Sequence, residues 1–165
     1  MDVLDEEFLR FWKILNQFGV RYIMVGGLAT RFHGYNRATE DVDIWIQDSI
    51  TNRQSLRKAF VALDYGDYES IETMQFVAGW TSFYAAGIEL DIMTDMKGLE
   101  NEGFENCFQI ASIVNLNGIT VPFLHINHLI ANKKALNRPK DQLDVIYLEN
   151  GWRPTNATTN KYDVI

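Results

Sequence analysis

The stretch from Tyr22 to Ile46, YIMVGGLATRFHGYNRATEDVDIWI, sets Gly26-Gly27 at the end of one apolar run and Asp41 and Asp43 at the start of the next. Side chains alternate faces along a strand, so Asp41 and Asp43 point the same way while Val42, Ile44 and Ile46 face the core. Like charges ~7 Å apart on one strand repel unless something positive lies between them. A divalent metal is the natural candidate. Mg²⁺ takes oxygen ligands and keeps waters and phosphate oxygens in its shell, so a few carboxylates and a triphosphate complete such a site. The glycine pair suits the same chemistry, because the missing Cβ lets backbone approach a ligand and amides at a helix start can face an anion. It is not a Walker loop, which needs a following Lys-Ser/Thr, nor a dinucleotide fingerprint, which needs a third glycine. Two-metal phosphoryl transfer uses one more acid on a neighbouring strand. IELDIMTD offers Asp91 among Ile88, Leu90 and Ile92, with Glu89 on the same face and Asp95 nearby.

Those groups need elements to hold them. VRYIMV, residues 20–25, is short and apolar and predicts a buried strand running into the glycine turn; LATRFH predicts a short helix closed by Gly34, and DVDIWIQ a second strand. Before them, Leu4, Phe8, Phe11, Trp12, Leu15 and Phe18 recur at helical spacing, an aromatic stripe that belongs in the core, with Gly19 as the stop. Leu56, Ala59, Phe60 and Leu63 form a further helical face that Ser49 or Thr51 can cap. The segment from Met74 to Asp95 predicts two or three strands turning near Ala86-Gly87, and Asn117-Gly118 predicts a type I′ hairpin. Two helices follow, one carrying Ile126, Leu129, Ile130 and Leu136, the other starting near Pro139 and carrying Leu143, Ile146 and Tyr147. The whole reads as an α/β (α+β) fold: a mixed sheet with flanking helices and a C-terminal helical segment. Residues 1–150 form one domain, with a core at about 20–96 and the hairpin and helices at about 108–149; residues 151–165 are a polar, loosely held tail.

The bulk composition narrows the class. With 165 residues, 47% of them hydrophobic, the chain can bury one compact core. There is no apolar run of about 18 residues, and the acidic opening MDVLDEEF is unlike an export signal, so a cytoplasmic protein with no membrane attachment is expected. Cys107 is the single cysteine and has no partner for an internal disulfide. A net charge of −7 excludes a broad, sequence-independent grip on nucleic acid but leaves local contact open. Trp45, Trp80 and Trp152 are candidates for exposed aromatics at a dimer contact.

The ordered set of Gly26-Gly27, then thirteen residues, Asp41-Val42-Asp43 and a later Asp91 resembles the signature of the nucleotidyltransferase superfamily related to DNA polymerase β. The filling, with His33-Gly34, Arg37 and Thr39 before the acids, is similar to small bacterial stand-alone members of the AbiEii toxin type, and so is the end of the chain, with Lys133 or Lys134, Arg138, Lys140 and Asp141. The resemblance runs from about Tyr22 to Leu148. It implies transfer of a nucleoside monophosphate from an NTP to an acceptor hydroxyl with release of pyrophosphate. Asp41, Asp43 and Asp91 would bind Mg²⁺ or Mn²⁺, Asp91 also serving as base. Gly26, Gly27, Arg37, Thr39 and Lys133 would contact the nucleotide. On the residues alone Arg37 fits a triphosphate contact or a salt bridge to Glu40, and Thr39 fits a loop hydroxyl that positions the acids. Lys133, Lys134 and Lys140 fit a solvated helix face as well as a phosphate contact, and His33 is at most supporting. The resemblance leaves the acceptor open among RNA, protein and small molecule; a toxin-like enzyme acting on RNA or protein, with an antitoxin as candidate partner, is the first reading. The rival readings are a small-molecule, antibiotic-type enzyme and a catalytically silent nucleotide-binding or partner-binding module.

Overall fold

The computed structural model describes residues 2–35, 38–85, 87–150 and 163–164. A helix, α1 (Glu6–Gln17), comes first; the Asp5 side chain caps it by accepting from the Glu7 amide at 3.0 Å, with Glu6 and Glu7 in the first turn where the helix dipole favours acids. Its stripe of Phe8, Phe11, Trp12 and Leu15 is buried, and Trp12 stacks on Tyr22 with ring centroids 5.2 Å apart. Then follow β1 (Tyr22–Met24), α2 (Gly26–Phe32), β2 (Asp41–Ile46) and α3 (Ile50–Ala62), the last capped by Ser49 as its sequence predicts. After a short 3₁₀ turn at Glu69–Glu72 come β3 (Ser82–Ala85) and β4 (Ile88–Met93), then α4 (Gly103–Gln109). Strands β5 (Ser112–Leu116) and β6 (Ile119–Phe123) form the expected hairpin, and Asn117 and Gly118 have the positive φ of 52° and 85° that a type I′ turn requires. The chain continues as α5 (Ile126–Leu136) and α6 (Pro139–Glu149), and β7 (Asp163–Val164) pairs with β5, so this part of the predicted loose tail is sheet. The remainder of that tail, Trp152 included, lies outside the described residues.

The strands form one mixed sheet in the order β3-β4-β2-β1-β6-β5-β7. β1 runs antiparallel to β2 and parallel to β6, and β2 runs parallel to β4. This crossover brings two segments about fifty residues apart in sequence side by side, with Asp41 opposite Glu89 and Asp43 opposite Asp91. Val42, Ile44 and Ile46 are buried as the alternation requires.

Two expectations fail. Trp45 is buried, its indole N–H donating to the Thr94 carbonyl at 2.9 Å and its ring set edge-on against Phe104, so it is no surface contact. Helix α6 turns the opposite face inward: Asp141, Asp144 and Leu148 are buried, while Leu143 and Ile146 are each 54% exposed. Apolar spacing could not foresee this, because the buried carboxylates are there to meet a buried lysine. Helix α4 has no expectation to match; its short run contains one buried side chain, Cys107, too little to give a periodic signal. Among the described residues no helix is long and apolar enough to cross a membrane.

Candidate active site

Strand β1 ends at Met24, and Val25 donates its amide to the Asp43 carbonyl at 2.9 Å, tying the chain to β2 just before the glycines. Gly26 then has φ +63°, and a Cβ there would lie inside the van der Waals envelope of Asp43 Oδ2. Both facts call for glycine. Gly27 belongs to the helix itself, and its amide favours the ionised Asp43 carboxylate against the upward push of burial. Gly26 therefore makes room for the Asp43 carboxylate, and both glycines line the cavity where a phosphate cradle is expected. A Gly26→Ala substitution should displace that carboxylate and cost ~1–2 kcal/mol in left-handed backbone alone. Urea unfolding together with Mn²⁺ titration checks this, the expected result being lower stability and at least tenfold weaker Mn²⁺ binding.

Opposite the glycines, Asp91 is 8% exposed. Its Oδ2 accepts from the Gly79 amide at 2.7 Å, whereas Oδ1 is buried with no hydrogen-bond partner among the described residues. Burial pushes the Asp91 carboxyl up to about 6, and the charges of Asp43, Asp41 and Glu89 add to that, against the Gly79 hydrogen bond. Burial also raises Asp43, reinforced by Asp41, while Lys133, the Gly27 amide and Lys140 act in the other direction. Asp41 is exposed at the start of β2.

Across the cavity stand Lys133, Arg138 and Lys140, the first two ion-paired with buried carboxylates. Lys133, 2% exposed, meets Asp141 at 3.2 Å and Asp144 at 2.8 Å. Arg138 donates through Nε to Asp141 at 2.6 Å, and Asp141 in turn accepts from the Arg138 amide, closing the first turn of α6. The side chain of Asn132 holds the Lys97 carbonyl at 2.9 Å, which fixes that loop against α5. Lys133 is therefore not a solvated lysine; it is a buried ammonium clamped between two carboxylates at the cavity wall.

These groups enclose one cavity of about 360 Å³. Of the residues marked in the sequence, Gly26, Gly27, Thr39, Asp41, Asp43, Asp91 and Lys133 all line it, joined by Arg138 and Lys140. Arg37 lies outside the described residues. His33 stands apart, its Nε2 2.8 Å from the Leu124 carbonyl and its ring against Phe123, a structural tie between α2 and the end of β6. Sequence reasoning missed Asp144 as a partner of Lys133 and the Gly79 amide as the support of Asp91. Nothing local marks either of them. A wider hollow beside α3 is lined by Arg57, but Asp67, Glu69 and Glu72 already neutralise that guanidinium.

The donor set suits a hard divalent cation: it consists of carboxylates, one carries an oxygen with no partner among the described residues, and burial, with like charge beside it, raises the proton affinity of two of them. Among the described residues no group of three or more acidic, histidine or cysteine side chains is placed to hold a metal ion by itself. Waters and phosphate oxygens would supply the remaining ligands, as Mg²⁺ prefers.

Similarity to known proteins lies in the fold. No protein-family model matches the chain, and no curated protein matches it in sequence. A protein of Thermotoga maritima, provisionally assigned as a nucleotidyltransferase, superposes with a TM-score of 0.57 at 15% identity, over 87% of this chain and 91% of its own. An antigenic nucleotidyltransferase-like protein of Paracoccidioides brasiliensis superposes with a TM-score of 0.53 at 17% identity, over 86% of this chain and 74% of its own. The chain thus has a nucleotidyltransferase-like fold.

Proposed function

We propose that this chain is a divalent-cation-dependent nucleotidyltransferase, moving a nucleoside monophosphate from an NTP to an acceptor hydroxyl and releasing pyrophosphate. The observation that carries this reading is the register pairing of Asp43 with Asp91, one oxygen of Asp91 left buried and unpartnered, across a cavity walled by Lys133, Arg138 and Lys140. Asp41, Asp43 and Asp91 would hold Mg²⁺ or Mn²⁺, which when bound neutralises charge on the phosphates and lowers the pKa of the attacking hydroxyl. The free oxygen of Asp91 accepts the proton of that hydroxyl, and the Gly79 amide fixes the carboxylate's orientation. The cationic wall orients the triphosphate, and Thr39 and Arg37 add nucleotide contacts on the strength of the resemblance. Residues 1–150 act as one unit in this reading, at work in the cytoplasm, where NTPs are supplied.

Two readings of the acceptor part here. The AbiEii-like pattern of His33-Gly34, Arg37, Thr39 and Arg138-x-Lys140-Asp141 favours a toxin-type enzyme acting on RNA or protein, held in check by an antitoxin. The net charge of −7 and the acids around the cavity mouth favour a small molecule instead. Incubation with each α-³²P-labelled NTP, Mg²⁺ or Mn²⁺ and a cell extract should transfer label, and the Asp41→Asn/Asp43→Asn variant should lose it by at least a hundredfold. No label from any nucleotide, with metal-dependent NTP binding retained, would replace the enzyme by a silent binding module.

A further inference from the structure

The loop that follows β4 is clipped to α5 at the cavity wall. Gly98, with φ +83°, sits so close to the helix that a Cβ there would stand 2.8 Å from the Ala135 Cβ and 3.0 Å from the Ala131 carbonyl oxygen. One residue earlier, the Lys97 carbonyl accepts from Asn132 Nδ2 at 2.9 Å. A carbonyl oxygen only accepts, so this bond fixes which end of the Asn132 amide is nitrogen and leaves Oδ1 as the free end. Oδ1 has no partner among the described residues, yet it is not sealed from solvent, although Asn132 as a whole is only 5% exposed. Asn132 lines the cavity, as do Leu136, one helical turn further along α5, and Met96, the neighbour of Lys97 in the loop. Residues four apart share a helix face, so a fixed acceptor oxygen and two apolar side chains make up one stretch of the wall. Lys97 itself is exposed, and its ammonium is left to solvent. A flat ring with an N–H group on its edge matches that stretch: its faces lie on apolar carbon and its edge donates to Oδ1. A ring with a carbonyl at the same place would set two acceptors against each other and leave Oδ1 unpaired. A ribose also has hydroxyls to donate, but it offers Met96 and Leu136 no flat apolar face.

Building on the nucleotidyl-transfer reading, we propose that Asn132 selects the base of the incoming nucleotide, favouring adenine or cytosine, whose edge carries an exocyclic amine, over a base with a carbonyl at that position. The Lys97 carbonyl is the positioning group: by holding Nδ2 it keeps the amide from turning over and offering a donor in place of the acceptor. Gly98 lets the loop come near enough to α5 for that bond to form. A site built to hydrogen-bond one polar group rejects the analogue lacking it far more strongly than an apolar pocket rejects a small change of size.

The test is calorimetric binding, in Mn²⁺, of two pairs of nucleotides that differ at this group: ATP against ITP, in which the 6-amine of adenine is a carbonyl, and CTP against UTP. The proposal expects the amino member of at least one pair to bind at least about tenfold more tightly than its keto partner. Asn132→Leu should cut that ratio at least threefold by weakening the amino nucleotide, an effect that a merely structural asparagine would not produce, since loosening the loop weakens both members alike. The wild-type ratios need no variant, so they decide even if Asn132→Leu does not fold. Ratios below tenfold in both pairs, a preference for the keto member, or a ratio that Asn132→Leu leaves within threefold would each overturn the assignment and leave nucleotide binding standing. So would a tenfold loss on going from ATP to 2′-deoxy-ATP that Asn132→Leu erases, because the oxygen would then serve the ribose. Absence of metal-dependent binding of all four ribonucleotides would overturn the nucleotidyl-transfer reading itself.

Discussion

Asp91→Asn is expected to abolish nucleotidyl transfer, by at least a thousandfold, and at the same time to make the protein more stable at pH 8. The two effects share one cause. In the folded chain the Asp91 carboxyl titrates at about 6 in place of an ordinary 3.8, because it is buried beside Asp43, Asp41 and Glu89. A group that holds its proton more tightly when folded stabilises the fold fully in acid below about pH 4, and this contribution is lost as pH rises through about 6. At pH 8 the ionised side chain therefore works against folding, by an upper bound of about 3 kcal/mol. Asparagine keeps an oxygen for the Gly79 amide and removes the charge. The variant should gain ~1–3 kcal/mol, or ~3–10 °C in Tm for a chain of this size, at pH 8. The difference should shrink towards zero near pH 4, where wild-type Asp91 is itself neutral. Added Mn²⁺ should raise the Tm of the wild type and leave the variant nearly unmoved. Melting curves from pH 4 to 8, with and without Mn²⁺, read all of this. A variant less stable than wild type at pH 8 would mean that Asp91 is paid for by contacts and is not a strained, cation-seeking acid.

Lys133→Met should be the most destabilising single change near the cavity. The side chains of Asp141 and Asp144 are 0% and 1% exposed, so removing the ammonium takes an ion pair from each of two buried carboxylates. Breaking one side of a buried ion pair costs ~3–5 kcal/mol, while replacing the partners together by apolar groups of similar volume is often neutral. Asp141 keeps its ion pair with Arg138, and Asp144 makes the shorter of the two contacts to the lysine, at 2.8 Å, so Asp144 is the side chain to change with it. Lys133→Met/Asp144→Leu should recover more than half of the lost stability in urea unfolding, yet should not recover NTP affinity. That split separates the ammonium as a fold element from the ammonium as part of the cationic wall. Full recovery of nucleotide affinity in the double variant would restrict Lys133 to a structural role.

Some of this was legible in the chain before any fold was known. The aromatic stripe of α1, the Asn117-Gly118 hairpin, the Ser49 cap and the alternation of Asp41 and Asp43 with Val42, Ile44 and Ile46 each follow from a local period or a single backbone conformation. Pro139 at the start of α6 is of the same kind. Asp91 could be singled out only as an acid on an apolar strand; its value comes from lying opposite Asp43, and that register belongs to the sheet.

What tertiary structure decided has a common physical reason. Whether Gly26 must make room for Asp43, whether Trp45 is a surface ring or a core one, and which face of α6 turns inward all depend on groups distant in sequence. α6 is the clearest case: its apolar residues predict one buried face, and the presence of a single buried ammonium on α5 selects the other. A helical or strand period fixes which side chains share a face, because it depends on rotation per residue alone. Which face is buried depends on what the other half of the chain brings to it, and an ammonium already buried on α5 needs the carboxylates of α6 turned towards it.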